Sequence, residues 1–123
     1  MDKIQFLTDI SLEFSQNIRV HFCCPECGKQ NNRLQEPVRH KDVPEYDLDY
    51  TFCDTCDKEF GIVASINGMS PDEVGRKYGS YENIRNALSG SNRITYHLVD
   101  SHKLKEHIYH SKVLSVSLWL RKY

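Results

Sequence analysis

The chain has no long apolar run. The nearest to one, residues 113–120, is interrupted by Ser115 and Ser117 and falls far short of the roughly 20 residues that a membrane-spanning helix needs. No association with a membrane is therefore expected. Nor does either sign of charge dominate: 16 Lys and Arg stand against 17 Asp and Glu, so no global basic field announces a nucleic-acid ligand. There is no internal repeat and no low-complexity stretch. The opening Met1-Asp2-Lys3 lacks the cationic, apolar and small-residue pattern of a secretory signal, so a cytoplasmic location is expected. At 123 residues the chain suffices for one domain with a modest core, here taken as 1–123, and not for two.

What the sequence does contain is cysteine in pairs. Four of its five cysteines form Cys24-Pro25-Glu26-Cys27 and Cys53-Asp54-Thr55-Cys56, and in a reducing compartment such pairs point to a metal rather than to disulfides. A Cys-x-x-Cys turn is the smallest loop that sets two thiolates from one segment on the same ion, and two such turns supply four soft donors at Zn–S distances of about 2.3 Å. Pro25 presets the first turn and Gly28 takes the positive φ needed to leave it. Asp57 holds the equivalent exit of the second turn, aspartate being one of the few other residues that tolerate that conformation. Phe60 is expected to cover the site from the apolar side. Cys24, Cys27, Cys53 and Cys56 are thus the expected ligands of one Zn2+, with Cys23 left as a free thiol and His21 and His40 as substitute donors.

The remaining pattern is that of an α+β fold. Apolar residues at Ile4, Leu7, Ile10 and Phe14 have the spacing of a short amphipathic helix. Residues 18–22 alternate as a strand entering the first pair, and residues 50–52 and 60–66 read as strands flanking the second. The polar stretch 29–49 looks like an exposed insertion in a core spanning 18–66. Ser70-Pro71-Asp72-Glu73 is a helix start, with a capping serine, a proline where its missing N–H costs nothing, and acids at the positive end of the dipole. That helix should stop near Gly79. A second should begin at Ser80, turn Tyr81, Ile84 and Leu88 inward, and end on Gly90, completing a helical hairpin over 70–90. Residues 93–99 read as a strand. Within the C-terminal region 93–123, Leu114, Val116, Leu118 and Leu120 alternate as a final strand able to pair with a second copy of the chain.

The local charge is uneven. Residues 36–60 carry eight acids against three bases, a local −5, and residues 93–123 carry six bases against two acids, a local +4. Arg85, Arg93, Lys103, Lys105 and Lys112 are the candidate phosphate contacts.

The stretches from Val20 to Gly28 and from Tyr50 to Phe60 resemble the zinc ribbons. That likeness implies short antiparallel strands around a zinc ion, and a regulatory role that binds nucleic acid or a nucleic-acid-processing protein, as in transcription. The string from Tyr81 to Gly90 is similar to the recognition helices of helix-turn-helix DNA-binding repeats in mobile-element endonucleases, with Asn83, Arg85, Asn86, Asn92 and Arg93 as the reading residues. Its turn is one residue short, and Glu82 would repel phosphate. The paired knuckles around His40 also resemble the scaffold of His-Asn-His nucleases, but Arg39 and Asp57 replace an acid and a histidine, so such a nuclease would be degenerate. His97, His102, His107 and His110 form a second cluster, the last two spaced to share a helical face. Without a nucleophile–base pair or a phosphate loop, a non-enzymatic protein is expected. The alternative to nucleic-acid binding is a phage or mobile-element factor that seizes a host protein through the acidic insertion and the final strand.

Overall fold

The computed structural model describes residues 4–14, 18–35, 37–40, 43–46, 49–88 and 93–110. The fold is mixed α+β and strand-rich, built on a curled antiparallel sheet. In chain order come β1 (Thr8–Phe14), β2 (Ile18–Cys23), β3 (Gln30–Gln35), β4 (Pro37–His40), β5 (Val43–Tyr46), β6 (Tyr50–Phe52) and β7 (Glu59–Ile66). Then follow α1 (Pro71–Tyr78), α2 (Tyr81–Leu88), β8 (Ile94–Asp100) and α3 (Ser101–Tyr109). Six strands form one sheet in the order β3-β2-β1-β8-β7-β6, and β4 and β5 form a separate hairpin.

Two expectations are corrected. Residues 4–14 do not form a helix. Residues 8–14 are β1, which pairs with β8 through Thr8, Asp9 and Ile10 and with β2 through Ser11 to Phe14. The spacing of three and four spans two stretches: Ile4 and Leu7 precede β1, while within it Ile10, Leu12 and Phe14 fall at every second position, the period of a strand. The stretch 29–49 is likewise not a simple exposed insertion. Gln30–Gln35 is β3, in register with β2 from Ile18↔Gln35 to Cys23↔Gln30, and residues 37–46 carry the β4–β5 hairpin. Polar residues hide β3 from a hydrophobicity pattern because the inward-facing position Asn31 is polar and buried. The final strand expected at 114–120 and the Gly90 cap lie outside the described residues.

Ile18, Val20, Phe22, Phe60, Ile62, Ala64, Ile66 and Leu98 fill the concave face of the sheet, joined by Val74 of α1, Ile84 of α2, and Cys24 and Cys53. β7 is buried on both faces. On its convex side Val63 packs with Val99, Leu104 of α3 and Ile4. Gly61 permits this layer: a Cβ there would come within 2.9 Å of Leu104 Cβ, so α3 can lie directly on the strand.

The start of α1 follows the expected chemistry. Ser70 Oγ accepts from the Glu73 N–H at 3.3 Å, capping the helix, and donates to Glu73 Oε1 at 3.1 Å. Gly79 ends the helix at φ +73, its N–H reaching Gly75 O at 3.0 Å. Asp72 stands in the first turn as expected, where it is 4% exposed, with His107 Nε2 of α3 at 4.0 Å. Among the described residues, no helix is long and apolar enough to cross a membrane.

Candidate metal centre

The two knuckles are built alike. In the first, the Gly28 N–H donates to Cys24 O at 2.9 Å and the Cys24 N–H to Lys29 O at 2.9 Å. In the second, the Asp57 N–H donates to Cys53 O at 2.9 Å and the Cys53 N–H to Lys58 O at 3.1 Å. Gly28 and Asp57 both take positive φ, +76 and +59, as their exit positions require. Each turn joins two strands at one margin of the sheet: the first links β2 to the edge strand β3, the second links the opposite edge strand β6 to β7.

The curl of the sheet brings these margins together. The ligand atoms of Cys24, Cys27, Cys53 and Cys56 all lie within 4.8 Å of one another. Across the knuckles, Cys24 Sγ and Cys56 Sγ are 3.8 Å apart, and Cys27 Sγ and Cys53 Sγ are 3.6 Å apart. A tetrahedron with metal–sulfur bonds of about 2.3 Å has edges of about 3.8 Å, so one ion fits between the sulfurs, while a disulfide would require about 2.05 Å. In each pair the first cysteine is buried against the core and the second faces solvent.

Side chains of β3 extend the contact. Asn31 is 3% exposed. Its amide donates to Cys53 Sγ at 3.5 Å and to Lys29 O at 3.0 Å, and its carbonyl accepts from the Asp54 N–H at 2.9 Å. Arg33 pairs with Asp54 and lays its guanidinium 3.7 Å from the centre of the Phe52 ring. Donors aimed at metal-bound sulfur are the usual outer shell of such sites.

Without a cation, four crowded thiols cannot ionise alike. Cys53 is held down to about 6, first by the Cys56 N–H and then by Asn31 and the Thr55 N–H, which outweigh its loss of hydration. Cys27 is pushed up to about 12: the Lys29 N–H opposes the rise, but lost hydration and the sulfurs of Cys53, Cys24 and Cys56 prevail. Cys56 is raised as well, lost hydration and the Cys24 and Cys53 sulfurs overcoming the Lys58 N–H. Accumulated thiolate charge of this kind is what a divalent cation relieves.

The other candidates do not converge here. Cys23 is exposed, its thiol donating to Gly28 O at 3.4 Å. His21 pairs with Glu13 at 3.1 Å. His40 lies in β4. The four C-terminal histidines are no cluster: His97 lies on the convex face of the sheet, His107 is buried, and His102 and His110 are exposed. Arg93 precedes β8, whereas Lys103 and Lys105 stand on α3 at its far end, about 23 Å of strand away. Lys105 is paired with Glu59 at 3.3 Å. Arg85 falls in α2, and Lys112 lies outside the described residues. Asn83 donates its amide to Tyr78 O at 2.6 Å, closing the turn between α1 and α2.

One constellation escaped the sequence. His97 Nδ1 is 2.7 Å from Asp9 Oδ1, and His97 Nε2 is 2.9 Å from Ser65 Oγ. A carboxylate only accepts, so Nδ1 carries a proton toward Asp9, and Nε2 bonds the Ser65 hydroxyl. Phe6 stacks on the imidazole at 3.8 Å. These are the contacts of a Ser-His-Asp relay, but the order of access is inverted: Ser65 is 5% exposed, while the Asp9 side chain is 82% exposed. The hydroxyl that would have to attack is innermost. The arrangement therefore ties β1, β7 and β8 together. Positions 9, 65 and 97 share no spacing signal that could have announced it.

No family model, no curated protein and no solved structure matches this chain.

Proposed function

We propose that Cys24, Cys27, Cys53 and Cys56 hold one structural Zn2+ in a ribbon-like knot, and that the chain is a zinc-clamped binding module. The observation that carries this reading is the cross-knuckle sulfur spacing of 3.6–3.8 Å, which matches a tetrahedral four-thiolate ion. Zinc suits a closed all-sulfur shell with no redox demand. Four thiolates leave no coordination position for substrate, so the ion serves the fold and not a reaction.

The partner class we propose is a protein, which includes a nucleic-acid-processing enzyme or a host target of a phage factor. Two observations favour this over direct phosphate binding: Arg93 and Lys103 stand at opposite ends of β8, and Lys105 already has Glu59 as a counter-charge. The test is elemental analysis of the untreated protein together with cobalt substitution. One zinc per chain and a tetrahedral thiolate–cobalt spectrum are expected. No stoichiometric metal, or an iron–sulfur chromophore, refutes the zinc reading. Tight, steeply salt-dependent binding to DNA or RNA would reverse the choice of partner.

A further inference from the structure

The curl that joins the two knuckles opens the sheet elsewhere. β1 leaves β8 after Ile10↔Tyr96 and turns to β2 from Ser11 onward, but β8 does not follow: Ile94 and Thr95 stay in register with Ile66 and Ser65 of β7. A cavity of about 280 Å3 occupies the resulting V, with Ile10 and Tyr96 at its apex and Leu12, Ile94 and Thr95 along its walls. Backbone groups point to alternate sides along a strand. The Asn67 N–H bonds Arg93 O at 2.8 Å, so Arg93 and Thr95 turn toward β7 and Ile94 turns into the V. The same alternation, counted from the Ile10↔Tyr96 pair, turns the N–H and C=O of Leu12 into it from the other side. Among the described residues neither has a strand partner there.

We propose that this V is a docking slot for an extended segment of a protein partner, in which apolar residues alternate with a basic one. The proposal rests on the protein-partner reading above and adds where and what the module binds. Backbone edges on both walls offer the main-chain hydrogen bonds of strand addition, and the half-buried Leu12, Ile94 and Tyr96 give an apolar side chain its contact. The charge is set by the outward face of β1, where Asp9 and Glu13 stand either side of Ser11. Their side chains are 82% and 58% exposed, each giving one oxygen to a histidine. Arg93 at the open mouth disfavours a second basic residue at that end. A cavity of this volume is at the small end for organic ligands but takes two or three extended residues.

The test uses the full zinc-loaded chain and a random-peptide library displayed on phage. Selected peptides should alternate β-branched or apolar residues with lysine or arginine. A fluorescein-labelled selected peptide should slow hydrogen exchange at the Leu12 and Ile94 amides. In Leu12→Pro the missing N–H is one that faces the V and not β2, and affinity should fall about tenfold, the value of roughly one backbone hydrogen bond. The exchange measurement needs no variant and decides the matter if Leu12→Pro fails to fold. Peptides that bind yet leave Leu12 and Ile94 unchanged overturn the slot while leaving a protein partner standing. No enrichment from the library on protein that retains its zinc also overturns the slot, as does an oligonucleotide that protects those two amides in place of peptide.

Discussion

Two devices hold distant parts of this chain together, the four-cysteine knot and the Asp9–His97–Ser65 relay, and they make opposite demands on the sequence. The knot joins opposite margins of the sheet through a single point. Its parts are two local turns, each complete within five residues, and they bring together four sulfurs able to hold a metal ion. Structural zinc contributes roughly 10–16 kcal/mol in small domains, comparable to the whole 5–15 kcal/mol by which a typical domain is stable. The relay joins three strands already adjacent in the sheet, with two hydrogen bonds at 2.7 and 2.9 Å and a stacked ring. Each such bond is worth about 1 kcal/mol net. One device closes the fold; the other trims it.

The comparison is broken most directly at Cys53. On the proposed zinc reading, Cys53→Ser is expected to lose the metal and to melt without a cooperative transition, because the sulfur it removes is buried in the core cluster as well as belonging to the four-sulfur group. Metal content and a thermal melt followed by circular dichroism check this. A cooperative melt unaffected by loss of the metal would show that the curled sheet closes unaided and that the knot is an accessory.

Protons attack the knot, which sharpens the contrast. Cys27 and Cys56 are raised above the ordinary thiol value of 9.0, so at pH 7.5 both carry protons until the ion displaces them. At least two protons leave on binding, and apparent zinc affinity should fall about 100-fold or more per pH unit as the solution is acidified. Cys53, depressed to about 6, runs the other way. Its thiolate favours the folded chain fully above pH 9, and that contribution fades as pH falls through 6. Loss of zinc should therefore steepen further below pH 6. A colorimetric zinc-release titration from pH 7.5 to 5 tests both slopes, and release that is flat across that interval would mean that the thiolates are not the ligands.

The same contrast explains what was legible beforehand. The knot could be read because cysteine spacing, Gly28 and Asp57 encode it within two short strings, and the strands flanking it, the cap at Ser70 and the stop at Gly79 were equally local. β1 shows a helix-like spacing only when Ile4 and Leu7, which precede it, are counted with Ile10 and Phe14; its own Ile10, Leu12 and Phe14 alternate as a strand does. β3 was missed because its buried side is Asn31, there to serve the Cys53 sulfur and the Asp54 amide and not to fill the core. Asp9, Ser65 and His97 become neighbours only once β1, β8 and β7 lie side by side. A local pattern carries no trace of that.

A smaller effect is expected at the relay. His97→Phe keeps an aromatic ring for Phe6 to stack on but leaves the buried Ser65 hydroxyl without its imidazole partner. The loss should be about 1–3 kcal/mol, seen as a lowered melting temperature with zinc content unchanged. Pairing it with Ser65→Ala should return part of the loss, since removing both partners avoids an unpaired buried hydroxyl. Strict additivity of the two would mean that they do not communicate.

The smallest effect isolates the ion from mere thiol content. Cys23 adjoins the proposed ligand Cys24 in sequence, yet strand alternation turns it outward, and its thiol donates to Gly28 O at 3.4 Å while Cys24 is buried at 1% exposed. Cys23→Ser keeps a small polar side chain at this exposed position. Stability should move by no more than about 0.5 kcal/mol, as for ordinary surface changes, and zinc should remain at one per chain. A drop in zinc on this substitution alone would place Cys23 in the coordination shell. It would then be the position of a cysteine in the strand, and not the Cys-Pro-Glu-Cys turn, that selects which sulfur meets the metal.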